Sequence, residues 1–111
     1  MRVYLSRLAE RRLDNLLLYL ENEWGDSVKA KFLLKVKDEF KALSSYPYRC
    51  KKTETFSDLY DLVITKHTSA IFRILEKTQE IEIVTFFDNR QDPEMLKKEL
   101  EAFFGKRGNQ D

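Results

Sequence analysis

The chain has 111 residues, 42% of them hydrophobic and 35% charged, and its 20 Lys and Arg against 19 Asp and Glu leave a net charge of +1. That length suits one domain and not two, and the composition is that of a folded globular protein with a heavily charged surface. The near-balance of charge lacks the basic excess of a nucleic-acid-binding domain, and a single cysteine, Cys50, rules out an internal disulfide and points to a reducing compartment.

The opening residues MRVYLSRLAERR contain no apolar run of signal-peptide type, and no stretch approaches the ~20 apolar residues of a membrane span, so a cytoplasmic protein is expected. Val3 to Leu5 form a short first strand. Ser6 then caps a helix from Arg7 to Trp24, because its hydroxyl can accept a free first-turn N–H. Ala9, Leu13, Leu16, Leu17 and Leu20 recur at helical spacing on one face, and Gly25 supplies the left-handed residue that ends the helix. Asp26 caps a second helix running to about Ser45, with Phe32, Val36, Phe40 and Leu43 in its apolar stripe, and Pro47 closes it. So short a connection makes the two helices an antiparallel hairpin.

Tyr46 to Ser57 reads as a polar connector carrying the basic cluster Arg49, Lys51 and Lys52. Three strands follow, Leu59 to Thr65, Ala70 to Glu76 and Ile81 to Phe87, each dense in β-branched and aromatic residues and separated by polar turns. In the last strand, simple alternation puts Ile81, Ile83, Thr85 and Phe87 on one face and Glu82, Val84 and Phe86 on the other. Asp92 and Pro93 start a short C-terminal helix with Leu96, Leu100, Phe103 and Phe104 in its stripe; Gly105 ends it, and 106–111 form a flexible tail. The fold class is α+β: one domain over 1–105, with an N-terminal strand and a helical hairpin on a small antiparallel sheet whose opposite face is left partly open.

There is no glycine-rich phosphate loop, no paired Cys or His spacing for a metal and no nucleophile elbow, so neither cofactor nor metal is expected. The polar candidates gather where strands end. Lys66 and His67 lie between the first two strands of the meander, and Asp88 and Arg90 follow the third, which brings all four to one end of the sheet. Arg and Lys can clamp a phosphate, and His or Asp can move a proton, so this rim could carry metal-independent RNA cleavage. The plain alternative for Arg90 is a pair with Asp88 or Asp92. Arg73 occupies a place in the middle strand where an apolar residue is expected; it either points from the open face to a partner or rests on Phe86.

With the opening VYLSRLAERRLDNLLLYLENEWG, the helical hairpin and the meander ending FFDNRQDP, the chain resembles the RelE/ParE superfamily of type II toxins from about Val3 to Leu96. The resemblance implies a growth inhibitor neutralised by a cognate antitoxin, in a hetero-oligomer with it. The superfamily has two branches: ribosome-dependent mRNA endoribonucleases and inhibitors of DNA gyrase. Arg90 matches the arginine that follows the last strand across much of the superfamily. An arginine of the nuclease branch near the start of the middle strand falls here at Ala70. Asp61, Val63 and Thr65 stand where that branch carries lysines, and its C-terminal tyrosine has no counterpart after Tyr60. The resemblance therefore implies gyrase inhibition first, with target contacts at Arg73, Asp88, Arg90, Arg49, Lys51 and Lys52. The alternatives are a nuclease using Arg90, Lys66 and His67, and an antitoxin-binding homologue without toxicity. The antitoxin is expected to lay a helix or strand on an exposed apolar surface near Phe86, Phe103 and Phe104.

Overall fold

A computed structural model describes residues 1–54, 56 and 58–107, the last two as backbone alone. In chain order it contains β1 (Arg2–Leu5), α1 (Arg7–Trp24), α2 (Asp26–Ser45), a 3-10 turn (Pro47–Arg49), β2 (Lys51–Lys52), β3 (Tyr60–Val63), β4 (Thr68–Leu75), β5 (Glu80–Asp88) and α3 (Pro93–Arg107). The strands form one sheet in the order β1-β5-β4-β3-β2. The meander β3-β4-β5 is antiparallel as expected, but β1 runs parallel to β5, so the sheet is mixed. A parallel partner needs a long crossover, and here everything from α1 to β4 supplies it. The connector also contributes β2, too short to leave a period-two pattern in the sequence.

Ser6 joins the sheet to the helical hairpin. Its hydroxyl accepts from Ala9 N at 3.0 Å and donates to the Val84 carbonyl at 2.7 Å, while its own N–H donates to Ile83 O at 2.9 Å. Gly25, at φ 92°, ends α1 and donates to Leu20 O and Glu21 O. The same residue is the N-cap of α2, with no side-chain cap bond, and Asp26 is the first helical residue and not the cap. Its charge still lies at the favourable end of the helix dipole.

A β-bulge between Ile71 and Phe72 changes the faces of β5: Ile71 pairs with Thr85, whereas Phe72 pairs with Ile83. Val84 is the extra residue, and side-chain alternation slips by one at that point. Ile81, Ile83 and Phe86 therefore face the hairpin and share a core with Ala9, Phe32, Val36, Leu43, Leu62 and Phe72. The alternation read from sequence puts Thr85, Phe86 and Phe87 on the wrong faces, because a bulge leaves no compositional mark.

The other face, expected to be partly open, is covered in part by α3. Leu100 of α3 packs on Leu59, Ile71 and Val84, with Leu96, Phe103 and Phe104 beside them. The amphipathic stripe of α3 needs an apolar surface, and this face of the sheet provides it. Gly105 does not stop the helix, which continues to Arg107. Of the tail expected at 106–111, residues 108–111 lie outside the described residues.

Candidate functional site

The exit of β5 is tied to the turn between β3 and β4. Thr68 pairs with Asp88 across the ladder, Asn89 N donates to His67 O at 2.8 Å, and Ser69 Oγ donates to Asn89 Oδ1 at 3.2 Å. Thr65 holds the turn itself, its hydroxyl accepting from His67 N and Thr68 N. The structure thus brings Lys66, His67, Asp88 and Arg90 to one rim.

Arg90 is gripped at that rim by Asp88. Its Nε donates to Asp88 Oδ1 at 3.0 Å, its Nη2 to Oδ2 at 2.8 Å, and its backbone N–H to Oδ1 at 2.9 Å. This is a bidentate, charge-assisted fork, with the Arg90 side chain still 63% exposed. The Arg90 side chain, and then its backbone N–H, hold the Asp88 carboxyl down at about 2 against an ordinary 3.8. Asp88 in turn pushes the Arg90 guanidinium up. A carboxylate held this firmly is a permanent anion at neutral pH and serves as a clamp, not as a proton donor. Lys66 and His67 are exposed.

Beside the fork runs a cleft of about 250 Å³ between α1, β5 and α3, with Leu16, Phe87, Arg90 and Met95 in its lining. Arg12 of α1 pairs with Glu99 of α3 there, and Glu99 accepts from Thr85 Oγ1 at 2.7 Å. This chain of polar contacts fixes α3 to both the helical hairpin and the sheet, and its members were not among the residues singled out from sequence. The buried Thr85 became informative only once the bulge turned it towards α3.

The other expected contact residues separate. Arg73 is not on an open face: its side chain is 13% exposed and donates from Nε to Glu82 Oε1 at 2.8 Å, with Glu82 only 4% exposed. It rests on the ring of Phe104, at 5.5 Å, and not on Phe86. Phe86 is 5% exposed and stacks on Phe40 on the hairpin side. Phe103 and Phe104 meet edge to face on the α3 side and are half-buried. The three phenylalanines therefore do not form one exposed footprint. Arg49 pairs with Glu39 at 2.7 Å, Lys52 lies 5.8 Å from the Tyr60 ring centre, and Lys51 is exposed on β2. Burial pushes the Cys50 thiol up, away from the reactive thiolate. No group of His, Cys, Asp and Glu among the described residues is arranged to hold a metal.

Residues 3–93 match the family model described as ParE toxin of type II toxin-antitoxin system, parDE. Among solved structures, the chain is similar to one titled chromosomal ParDE TA system from P. aeruginosa, at 19% identity and TM-score 0.67, covering 79% of this chain and 95% of that one. It is also similar to a YoeB/ParE toxin from Agrobacterium tumefaciens (11% identity, TM-score 0.59, 79% and 98% covered). A third is the isolated E. coli RelE toxin (10% identity, TM-score 0.55, 87% and 96% covered). No curated protein matches the chain significantly.

Proposed function

Because the chain belongs to the ParE toxin family of type II toxin–antitoxin systems, we propose that it arrests growth by binding DNA gyrase as a stoichiometric inhibitor, and that a cognate antitoxin holds it inactive in a protein–protein complex. The Asp88–Arg90 fork carries this reading. Arg90 spends two of its five N–H donors on Asp88, and the remaining three are left for a partner in a fixed orientation. The pair as a whole is nearly neutral, so it suits one carboxylate or carbonyl on a protein surface better than the dense negative charge of a nucleic acid. Ala70 is buried in β4, and Thr65 is occupied in holding the turn. Neither can supply the charge that phosphoryl chemistry at this rim requires.

Titration of purified gyrase with the protein in a supercoiling assay tests the proposal. Inhibition at near-equimolar ratio is expected, and Arg90→Ala should weaken it by at least about tenfold, the effect of losing a charged hydrogen bond. Undiminished supercoiling at excess protein would sink the reading. The contact between Asn89 N and His67 O favours a second reading, a ribosome-dependent mRNA endoribonuclease, because it ties the turn that carries Lys66 and His67 to the residue before Arg90. Messenger cleavage in a translation extract, abolished by Arg90→Ala, is its signature. Either target lies in the cytoplasm, and no described helix is long and apolar enough to cross a membrane.

A further inference from the structure

Asp61 stands on β3 directly across the ladder from Lys51 on one side and Ile71 on the other. Residues opposite one another share a face. Ile71 packs with Leu100, so Asp61 lies on the α3 side of the sheet. A cleft of about 400 Å³ opens there, bounded by β2 and β3, the exit of β5 and the first turns of α3. Asp61, Asn89 and Gln91 contribute polar groups to it, and Phe87 and Leu96 an apolar wall.

Asp61 Oδ1 is buried and has no hydrogen-bond partner, the one such side-chain atom among the described residues. A buried acceptor left unpaired costs folding free energy, and native proteins keep few of them without a reason. Lys51 is the natural partner by position, yet it makes no ion pair with Asp61 and is exposed. Asp61 as a whole is only half-buried. Its carboxylate is therefore reachable from the cleft, and rotation about the last side-chain bond, a soft torsion, can present either oxygen.

We propose that this cleft receives a cationic side chain, an arginine in particular, delivered by a protein segment that also lays an apolar residue against Leu96 and Phe87. Guanidinium fits the cleft better than ammonium because it is more weakly hydrated and its planar fork can satisfy a carboxylate and a neighbouring amide oxygen together. The lysines at the mouth do not reverse this preference. Lys51 and Lys52 are exposed, where water and salt screen them, and the half-buried Lys97 lies in the same lining as a second carboxylate, Glu54; the buried Asp61 oxygen is screened far less. This inference rests on the reading that the chain works through a protein partner, and it assigns that partner a chemistry the sheet rim does not reveal.

The test uses the full ¹⁵N-labelled chain, titrated with acetyl-Leu-Arg-amide and with acetyl-Leu-citrulline-amide, which keeps the planar shape but puts a carbonyl oxygen in place of one nitrogen and so loses the charge and two N–H donors. Saturable shifts at Asp61, Asn89 and Leu96 are expected for the arginine peptide, at least about tenfold tighter than for citrulline. Asp61→Asn should erase that difference and leave the spectrum otherwise folded. Equal binding of the two peptides, shifts mapping elsewhere, or no saturation would each overturn the proposal. Melting gives a second reading: Asp61→Asn should raise Tm by about 4 °C, since the unpaired buried oxygen then belongs to a neutral amide, which costs less to bury than a carboxylate. A fall in Tm would mean that Asp61 has an internal partner, and would overturn the proposal too. The titration reports on the cleft whether or not the chain inhibits gyrase, so the two readings fail separately.

Discussion

The two faces of the sheet are built on different principles. The hairpin face is an apolar layer in which Phe72, Ile81 and Ile83 are fully buried against α1 and α2. The α3 face has a smaller apolar cluster around Leu100, and it also holds the pairs Glu82 with Arg73 and Thr85 with Glu99 and the unpaired Oδ1 of Asp61. Apolar burial is non-directional and tolerant, so the first face can stabilise the fold without depending on any single geometry. Buried polar groups need partners, so the second face is exacting, and both clefts discussed above open beside it. One side of the molecule holds the fold together; the other side and its rim carry recognisable chemistry.

The largest effect that would test this contrast is Phe72→Ala. It removes a fully buried ring that stacks on Tyr60 at 5.2 Å, and a loss of about 3–5 kcal/mol is expected by urea unfolding. That is a large share of a domain's stability, whereas a loss below ~1 kcal/mol would mean that the hairpin face is not the main core. Next is Glu82→Leu, which removes the carboxylate that accepts from Arg73 Nε and should cost about 3 kcal/mol. Adding Arg73→Met should recover most of the loss, because the pair is replaced by packing. Additive losses in the double variant would show that the α3 face is held by packing around Arg73 and not by the pair.

Much of the hairpin face was legible in the sequence, because helical spacing of leucines and dense β-branched strands record burial directly. Ser6 and Gly25 were legible for a different reason: a cap and a left-handed stop are properties of single residues. The α3 face was not. Its character depends on a bulge at Val84 that shifts Thr85 and Phe86 to opposite faces, and on β2, which is only two residues long. Neither leaves a periodic signal. Arg73 stands out in the sequence as a charge in a strand, but Glu82, which accepts from it, lies nine positions on, and only the register of β4 on β5 sets them opposite. At the rim, Arg90 and Asp88 could be read as a pair from their spacing, while the link from Asn89 to His67 required the turn geometry.

A smaller effect is expected at the junction of the two faces. Ser6→Ala removes both the cap of α1 and the donor to Val84 O at the bulge, and should cost about 1–2 kcal/mol. Ser6→Thr, which keeps the hydroxyl, should restore most of it. If Ser6→Ala proves neutral in urea unfolding, the bulge does not depend on the cap, and the link between helix start and sheet face is geometric coincidence.

The smallest effect on stability is expected at the rim, where the effect on function should be greatest. Arg90→Ala removes an exposed side chain, and global stability at neutral pH should change by no more than about 0.5 kcal/mol. Its signature is in the acid limb. The Asp88 carboxyl is held at about 2 in the folded chain against an ordinary 3.8. A depressed carboxyl stabilises the fold above its unfolded pKa, and that contribution is lost as pH falls through its folded one. The wild-type chain should therefore lose this increment between about pH 3.8 and about 2, whereas Arg90→Ala should lack that step, so that the variant's small deficit at pH 7 closes at the acid end. Direct NMR titration of Asp88 gives the same answer without unfolding: its midpoint should rise towards the ordinary value in the variant. If the midpoint stays low, some other group holds the carboxylate, and Arg90 is freer to meet a target than the fork implies. If it rises and gyrase inhibition is lost with folding intact, the rim acts in recognition and contributes little to the fold.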